Sequence, residues 1–441
     1  MKNQVEINEK IKPFKKKIYV SSDKSLSIRS VLLASIALGK SKIYNLLKSE
    51  DVANALKAVN KIGVNYFQKK NYVEIHGKGI NGFKIKKNTI INAGNSGTLA
   101  RCILGLLAGI NKKIKIIGDK SLSKRDFSRV IKPLNLFGVK VDSKNGMMPL
   151  YIKGSNFLRP INFIEDKGSA QIKTCIILSA INTRGTTNLK AKKSRNHTEL
   201  FLKYLNYPIE IKKNKNFDQI KIEGLNQFNS FEYTVPGDIS SASFFIVLTL
   251  LSKKSVLLIK NININPSRTG ILKILNLMNA KIKILNKKNY KGEDVGDISI
   301  KSRNSFNSIN CDPNLNSAAI DEFLLIFLIA AKAKGISKFK NLGELNKKES
   351  RRLDISVKFL KMLGVKVLRK KDDIKIYGNP NLKLSKDYSM KNFLKDHRVF
   401  MMSVITALTL GGKWKINDKE SIKTSFPEFL KIAKELGATI H

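Results

Sequence analysis

Six times along this 441-residue chain a helix ends in a short bend and turns directly into an amphipathic strand. The segments are ALKAVNKIGVNYF (Ala55–Phe67), VIKPLNLFGVKVD (Val130–Asp142), FLKYLNYPIEIKK (Phe201–Lys213), ILKILNLMNAKIKIL (Ile271–Leu285), VKFLKMLGVKVL (Val357–Leu368) and FLKIAKELGATI (Phe429–Ile440). With Gly63, Gly138, Pro208, Asn279, Gly364 and Gly437 as markers, the steps are 75, 70, 71, 85 and 73 residues. Self-similarity at a fixed period marks a repeat architecture. A second series keeps the same interval: helices open on polar or small residues near Lys24, Ser96, Ser169, Ser240, Asp321 and His397.

Each repeat starts with a nearly all-apolar helix, such as SSASFFIVLTLLS or EFLLIFLIAAKAKG, followed by a short strand, an amphipathic helix and the bend. One or two alternating strands, such as YVEIHG or DIKIYG, close the repeat. A helix that is apolar all round must be buried, and one such unit cannot cover it alone. Three units can bury three such helices at a common centre, so two clusters of three are expected. The expected class is α/β, with two domains of three βαβαββ repeats each. TVPG (Thr234–Gly237) marks the crossing between them. Residues 22–236 form the expected domain of repeats 1–3, and residues 1–21 plus 237–441 that of repeats 4–6. The chain then crosses twice, which is a natural hinge.

Composition excludes more than it selects. The longest apolar runs, Phe244–Leu251 and Phe323–Ala331, fall well short of the ~20 residues of a membrane span. The N-terminal stretch lacks an apolar h-region, so no secretion signal and no membrane association are expected. Cys102, Cys175 and Cys311 lack metal-like spacing and are expected to be small core residues in a reducing cytoplasm. His76, His197, His397 and His441 are isolated, so neither a metal site nor a cofactor is expected. The formal charge of +48 would suit a nucleic-acid binder. Yet the lysines are scattered through every repeat without an aromatic-interleaved stripe, so we read them as solvated faces and expect no nucleic-acid partner. A steep salt dependence of binding to unrelated nucleic acids would favour the other reading.

The suggestive chemistry sits at helix starts. KSLSIR (Lys24–Arg29), NAGNSGTLAR (Asn92–Arg101) and DHR (Asp396–Arg398) each place an arginine near a first turn, with Ser25 read as the cap of its helix. A cation there opposes the helix dipole at a cost of about 0.3–1 kcal/mol unless an anion lies between them. Three such starts on one period point to anion receptors. GDKSLSKR (Gly118–Arg125) adds a further arginine, and GSAQ (Gly168–Gln171) offers hydroxyl, backbone and amide groups to a polyhydroxylated ligand. SRNHTE (Ser194–Glu199) reads either as a capping box, with Asn196 or Ser194 as cap, or as an anion contact through Arg195. Asp321 opens a helix in IDEF, a location that favours its ionised form. NKKESRR (Asn346–Arg352) reads on its own as a solvated charged helix.

Taken with VPGDISSASFF, NPSRTG and TSFPEF, these motifs stand in an order that resembles the 5-enolpyruvylshikimate-3-phosphate synthase family, from about Lys24 to the C-terminus. The resemblance implies an inside-out α/β barrel in each domain and an active-site cleft between domains. It also implies transfer of the enolpyruvyl group of phosphoenolpyruvate to the 5-hydroxyl of shikimate 3-phosphate, on the way to chorismate. By the same resemblance, Lys24, Ser25, Arg29, Ser169, Ala170, Gln171, Arg195, Asp321 and Lys348 hold shikimate 3-phosphate. Lys24, Gly97, Arg125, Gln171, Arg352 and Arg398 hold phosphoenolpyruvate, with Asn95 and Thr98 shaping the loop. Asp321, Glu349 and Lys24 are the implied proton-transfer residues, and a monomer is expected.

Two positions depart from the family pattern: Arg351 stands where many members carry an acid, and Thr424 where a lysine precedes F-P, leaving Lys423 one residue earlier. Tolerant members carry Ala in place of Gly97, so glyphosate is expected to compete with phosphoenolpyruvate, although GSAQ and SRNHTE look like the tolerant branch. The related transferase acting on UDP-N-acetylglucosamine normally carries a mobile-loop cysteine, which GDKSLSKR lacks.

Overall fold

The computed structural model describes residues 3–391, 393 and 395–441. The chain divides into two compact units. Among the described residues, one contains residues 22–235 with 289–293, the other residues 3–21, 236–288 and those from 294 to 441. Met1 and Lys2, part of the expected second domain, lie outside the described residues. Each unit has its own hydrophobic core.

The repeat is clearest between residues 90 and 153. Strand Ile90–Asn92 pairs parallel with Lys113–Ile117, which pairs antiparallel with Met147–Lys153, and Lys140–Lys144 adds on antiparallel. Helix Gly97–Leu106 makes the crossover that a parallel pair requires, and Ser128–Phe137 leads into the closing hairpin. The same order recurs in Asn162–Glu223 and Phe306–Gly378. The apolar helices are buried as their composition demands. Every residue is buried from Ser25 to Ile36, from Ile239 to Leu250 and from His397 to Leu410. Among the described residues no single helix is long and apolar enough to cross a membrane. The three cysteines are buried free thiols, and burial pushes the Cys311 thiol up to about 11.

The remaining repeats borrow strands. Leu38–Tyr44 takes its parallel partner from Glu232–Thr234, far along the chain but inside the same unit. In the other unit Val256–Asn263 takes Lys15–Ile18 as its parallel partner, and Gly411–Asn417 takes Gln4–Ile7 antiparallel. The strand expected after Gly437 does not form. His441 instead exchanges backbone hydrogen bonds of 2.9 and 3.0 Å with Glu6.

The bends are left-handed residues that end helices, as at Gly138 (φ 96°), where a side chain would be strained. In the third repeat this role belongs to Asn206 (φ 54°), not to Pro208, whose ring holds φ near −65°.

Candidate active site

In the unit of residues 22–235, three helix starts carry most of the candidate residues. Asp23, not Ser25, caps helix Lys24–Ile36 by accepting from the Leu26 N–H at 2.8 Å; Ser25 lies in the first turn. Ser96 and Ser169 cap Gly97–Leu106 and Ala170–Ile181 in the same way, at 3.2 and 3.4 Å. Lys24 sits at the positive end of its helix, and the Asp51 carboxylate lies 3.1 Å from its ammonium. Arg29 is buried at 3% exposure and turns inward. It donates to Thr198 Oγ1 at 2.9 Å, Thr174 Oγ1 at 3.0 Å and the Ser25 carbonyl at 3.1 Å. All three acceptors are neutral, so its charge stays available to an anion.

Gly97 is the meeting point of two further cations. A Cβ built there would lie 2.8 Å from Arg101 Nη1 and 2.9 Å from Arg125 Nη1. Arg101 also donates to Gln171 Oε1 and to the Asp126 carbonyl, both at 3.0 Å, and lies over the Phe127 ring. Burial first, and then Arg125, push its guanidinium down to about 10. Arg125 donates to Asn95 Oδ1 at 2.7 Å, and Asn95 to Asp119 at 2.6 Å. Gln171 donates to Thr98 Oγ1 at 3.1 Å, so one amide ties two helix starts together. Two guanidinium groups meeting beside the first turn of a helix are an arrangement suited to an anion.

Ser169 and Ala170 sit above a further carboxylate. Buried Glu165 accepts from the N–H groups of Lys167, Gly168 and Ser169 at 3.0–3.2 Å, and burial nevertheless pushes its carboxyl up. Arg195 is half-buried just before helix His197–Tyr204. Of the two readings of SRNHTE, the capping box does not form. Asn196 makes no side-chain cap, and Glu199 instead pairs with buried Lys173 at 2.6 Å.

In the other unit a second cluster surrounds Asp321, in the turn before helix Phe323–Ala331. Its Oδ1 lies 3.2 Å from both Lys348 Nζ and Arg352 Nη1, and its Oδ2 lies 3.9 Å from Arg398 Nη2. Arg398 also donates to the Asp321 carbonyl at 3.1 Å. Arg352 is 1% exposed and held by carboxylates: Nε to Asp396 at 2.9 Å and Nη2 to Glu349 at 2.5 Å. Burial opposes its charge, but Asp396, Glu349 and Asp321 together raise its pKa. Asp396 also caps helix His397–Leu410 through the Arg398 N–H at 3.0 Å and accepts from Ser350 Oγ at 2.7 Å. One buried carboxylate therefore fixes the side chain of Arg352 and the backbone of Arg398.

NKKESRR is thus only partly a solvated face: Lys348 and Arg352 turn toward Asp321, and Glu349 pairs with Arg352. Lys347 and Arg351 point outward, Lys347 onto Glu344 and Arg351, with its side chain 71% exposed, onto Asp354, which it shares with Arg369. Lys423 likewise reaches Glu420 at the surface, while Thr424 lies 3.4 Å from His397 Nδ1. Arg101, read in the sequence only as a general anion contact, completes the clusters together with five residues given no role there: Asp51, Thr174, Thr198, Glu322 and Asp396. Thr198, Glu322 and Asp396 stood inside quoted motifs, whereas Asp51 and Thr174 carried no signal.

The fold itself is shared with the enolpyruvyl transferase NikO from Streptomyces tendae, at 14% identity and a TM-score of 0.73. A solved EPSP synthase from Acinetobacter baumannii superposes with a TM-score of 0.86 at 32% identity, covering 99% of both chains. The family model of EPSP synthase (3-phosphoshikimate 1-carboxyvinyltransferase) matches residues 8–432. Curated 3-phosphoshikimate 1-carboxyvinyltransferases from Ruthia magnifica and Petrotoga mobilis are 39% and 38% identical. They span 96% and 95% of this chain, and 95% and 96% of their own lengths. The chain belongs to the EPSP synthase family.

Proposed function

We propose that this chain transfers the enolpyruvyl group of phosphoenolpyruvate to the 5-hydroxyl of shikimate 3-phosphate and releases inorganic phosphate. The observation that carries the chemistry is a single carboxylate, Asp321, held among Lys348, Arg352 and Arg398. A base so placed can accept the hydroxyl proton while the surrounding cations hold the anionic reactants.

In this reading Ser25, Arg29, Ser169, Gln171, Arg195 and Lys348 bind shikimate 3-phosphate, with the Ala170 backbone. Arg125, Arg352 and Arg398 bind phosphoenolpyruvate, with Lys24, Gln171 and the Gly97 backbone. Two phosphates and two carboxylates suit guanidinium forks and helix starts. The 5-oxygen adds to C2 of phosphoenolpyruvate as its proton passes to Asp321, and the methylene carbon takes a proton to become a methyl. The resulting phospho-ketal expels phosphate, and loss of one methyl proton restores the double bond. Glu349 and Lys24 are the proton-transfer partners. Each step is a proton transfer or a carbon–oxygen bond change, so the reading requires no redox cofactor. It takes the enzyme to act as a monomer in the cytoplasm.

The test is phosphate release from phosphoenolpyruvate by the purified chain. Release is expected only with shikimate 3-phosphate, one for one with the enol ether. Release with UDP-N-acetylglucosamine instead, or none with either acceptor, would refute the reading.

Gly97→Ala provides a sharper check on the phosphoenolpyruvate set. The added methyl meets the tips of Arg101 and Arg125, which can swing aside at some loss of alignment. Glyphosate should inhibit the parent competitively with phosphoenolpyruvate. The variant should keep most of its turnover, with KM for phosphoenolpyruvate raised several-fold and the glyphosate inhibition constant raised more. Full activity of the parent in millimolar glyphosate at low phosphoenolpyruvate would contradict the assignment.

A further inference from the structure

A second layer of charge lies behind Asp321. Glu322 follows it in the chain, and its side chain is buried, so it cannot itself touch a substrate. Its Oε1 accepts from Ser240 Oγ and lies 3.7 Å from Arg398 Nη1. Ser240 Oγ in turn accepts from Arg268 Nη2 at 2.9 Å, and the same nitrogen donates to Asp238 at 2.9 Å. A guanidinium can only donate, so the serine must accept from Arg268 and has one proton to give, which goes to Glu322. The line of groups runs Asp238, Arg268, Ser240, Glu322, Arg398, Asp321.

The charges facing Asp321 come from three elements besides its own: Lys348, Arg352 on helix Arg352–Met362 and Arg398 on helix His397–Leu410. Arg352 is already balanced by Asp396 and Glu349, and Arg268 by Asp238. His397, beside Arg398, faces Thr424. Lys348 and Arg398 would by themselves strip a neighbouring carboxylate of basicity. Glu322 supplies a second carboxylate to Arg398: its Oε1 lies nearest Nη1, whereas the Asp321 carboxylate lies nearest Nη2.

We infer that Glu322 is a positioning residue that acts through Arg398 as a counter-charge and keeps Asp321 able to accept the substrate proton. The inference rests on the reading of Asp321 as proton acceptor.

The acidic limb of kcat against pH reports the base in the ternary complex. Glu322→Gln keeps the shape and the acceptor for Ser240 but removes the charge. Asp321 then becomes a weaker base, so the acidic limb moves to lower pH by about one unit and the plateau falls several-fold. KM for phosphoenolpyruvate should not rise, because losing an anion leaves the site more positive. Arg268→Gln removes the cation beyond Ser240 and should move the limb the other way, to higher pH. If Glu322→Gln does not fold, the direction of the Arg268→Gln shift decides. An unmoved limb in a folded variant, or a loss of rate that comes with a raised KM for phosphoenolpyruvate, overturns the proposal. Wild-type chain without transferase activity would instead overturn the function on which it rests.

Discussion

Asp321→Asn lowers turnover by about 10²–10⁴ and leaves both KM values close to those of the parent. Asparagine keeps an oxygen facing Lys348 and Arg352 but cannot hold the proton of the 5-hydroxyl. The cations around it lose one counter-charge, which favours anionic substrates and so argues against weaker binding. Arg352 retains Asp396 and Glu349, so the cluster should stay folded. Steady-state kinetics against each substrate check the result. Near-normal turnover in a folded Asp321→Asn protein would remove Asp321 from the reaction.

The largest effect on stability is expected from Arg352→Met. Removing this side chain leaves Asp396, which is 0% exposed, without its main counter-charge. Breaking a buried pair from one side costs about 3–5 kcal/mol. For a unit of this size that is roughly a 10 °C fall in Tm at neutral pH.

The pH dependence follows from the direction of the Asp396 shift. Burial raises its pKa, but Arg352 outweighs burial and holds it below the ordinary 3.8. A depressed folded pKa gives stability that is present above the unfolded value and lost as pH falls through the folded one. Without Arg352, burial dominates and the folded pKa rises above the unfolded value. The variant should therefore gain stability relative to the parent as pH falls from 7 to 5. Thermal unfolding at both values measures it. Equal Tm at pH 7, or a gap that widens toward acid, would contradict the role given to Arg352.

Much of this was legible before any coordinates. The bends recur at a steady period because each repeat must leave its amphipathic helix through a left-handed residue, and only Gly or Asn adopts that cheaply. The apolar helices announced their burial, and the arginines near first turns announced the clusters in which Arg29, Arg101 and Arg398 stand, because both patterns are costly otherwise. Strand exchange was not legible in full: Glu232–Thr234 and Gln4–Ile7 are short and alternating, and nothing local says which distant edge they join. The Ser25 cap and the capping-box reading of SRNHTE both gave way, for related reasons. Asp23 and Ser25 are both good caps two residues apart, and geometry chose the carboxylate. Glu199 matched a capping box, but Lys173, enclosed in the stretch of its helix that is buried from Ile172 onward, claims it across the helix pair. Glu322 escaped notice because an acid beside Asp321 looks like ordinary helix-start charge until its burial is known.

The addition–elimination course can be read directly by running the reaction in deuterium oxide and following the vinyl protons of the product by NMR. A phospho-ketal with a freely rotating methyl predicts deuterium in the methylene of the enol ether. Product whose methylene keeps both original protons through many turnovers would show that no methyl was ever formed, and would contradict proton transfer to that carbon as the step this site performs.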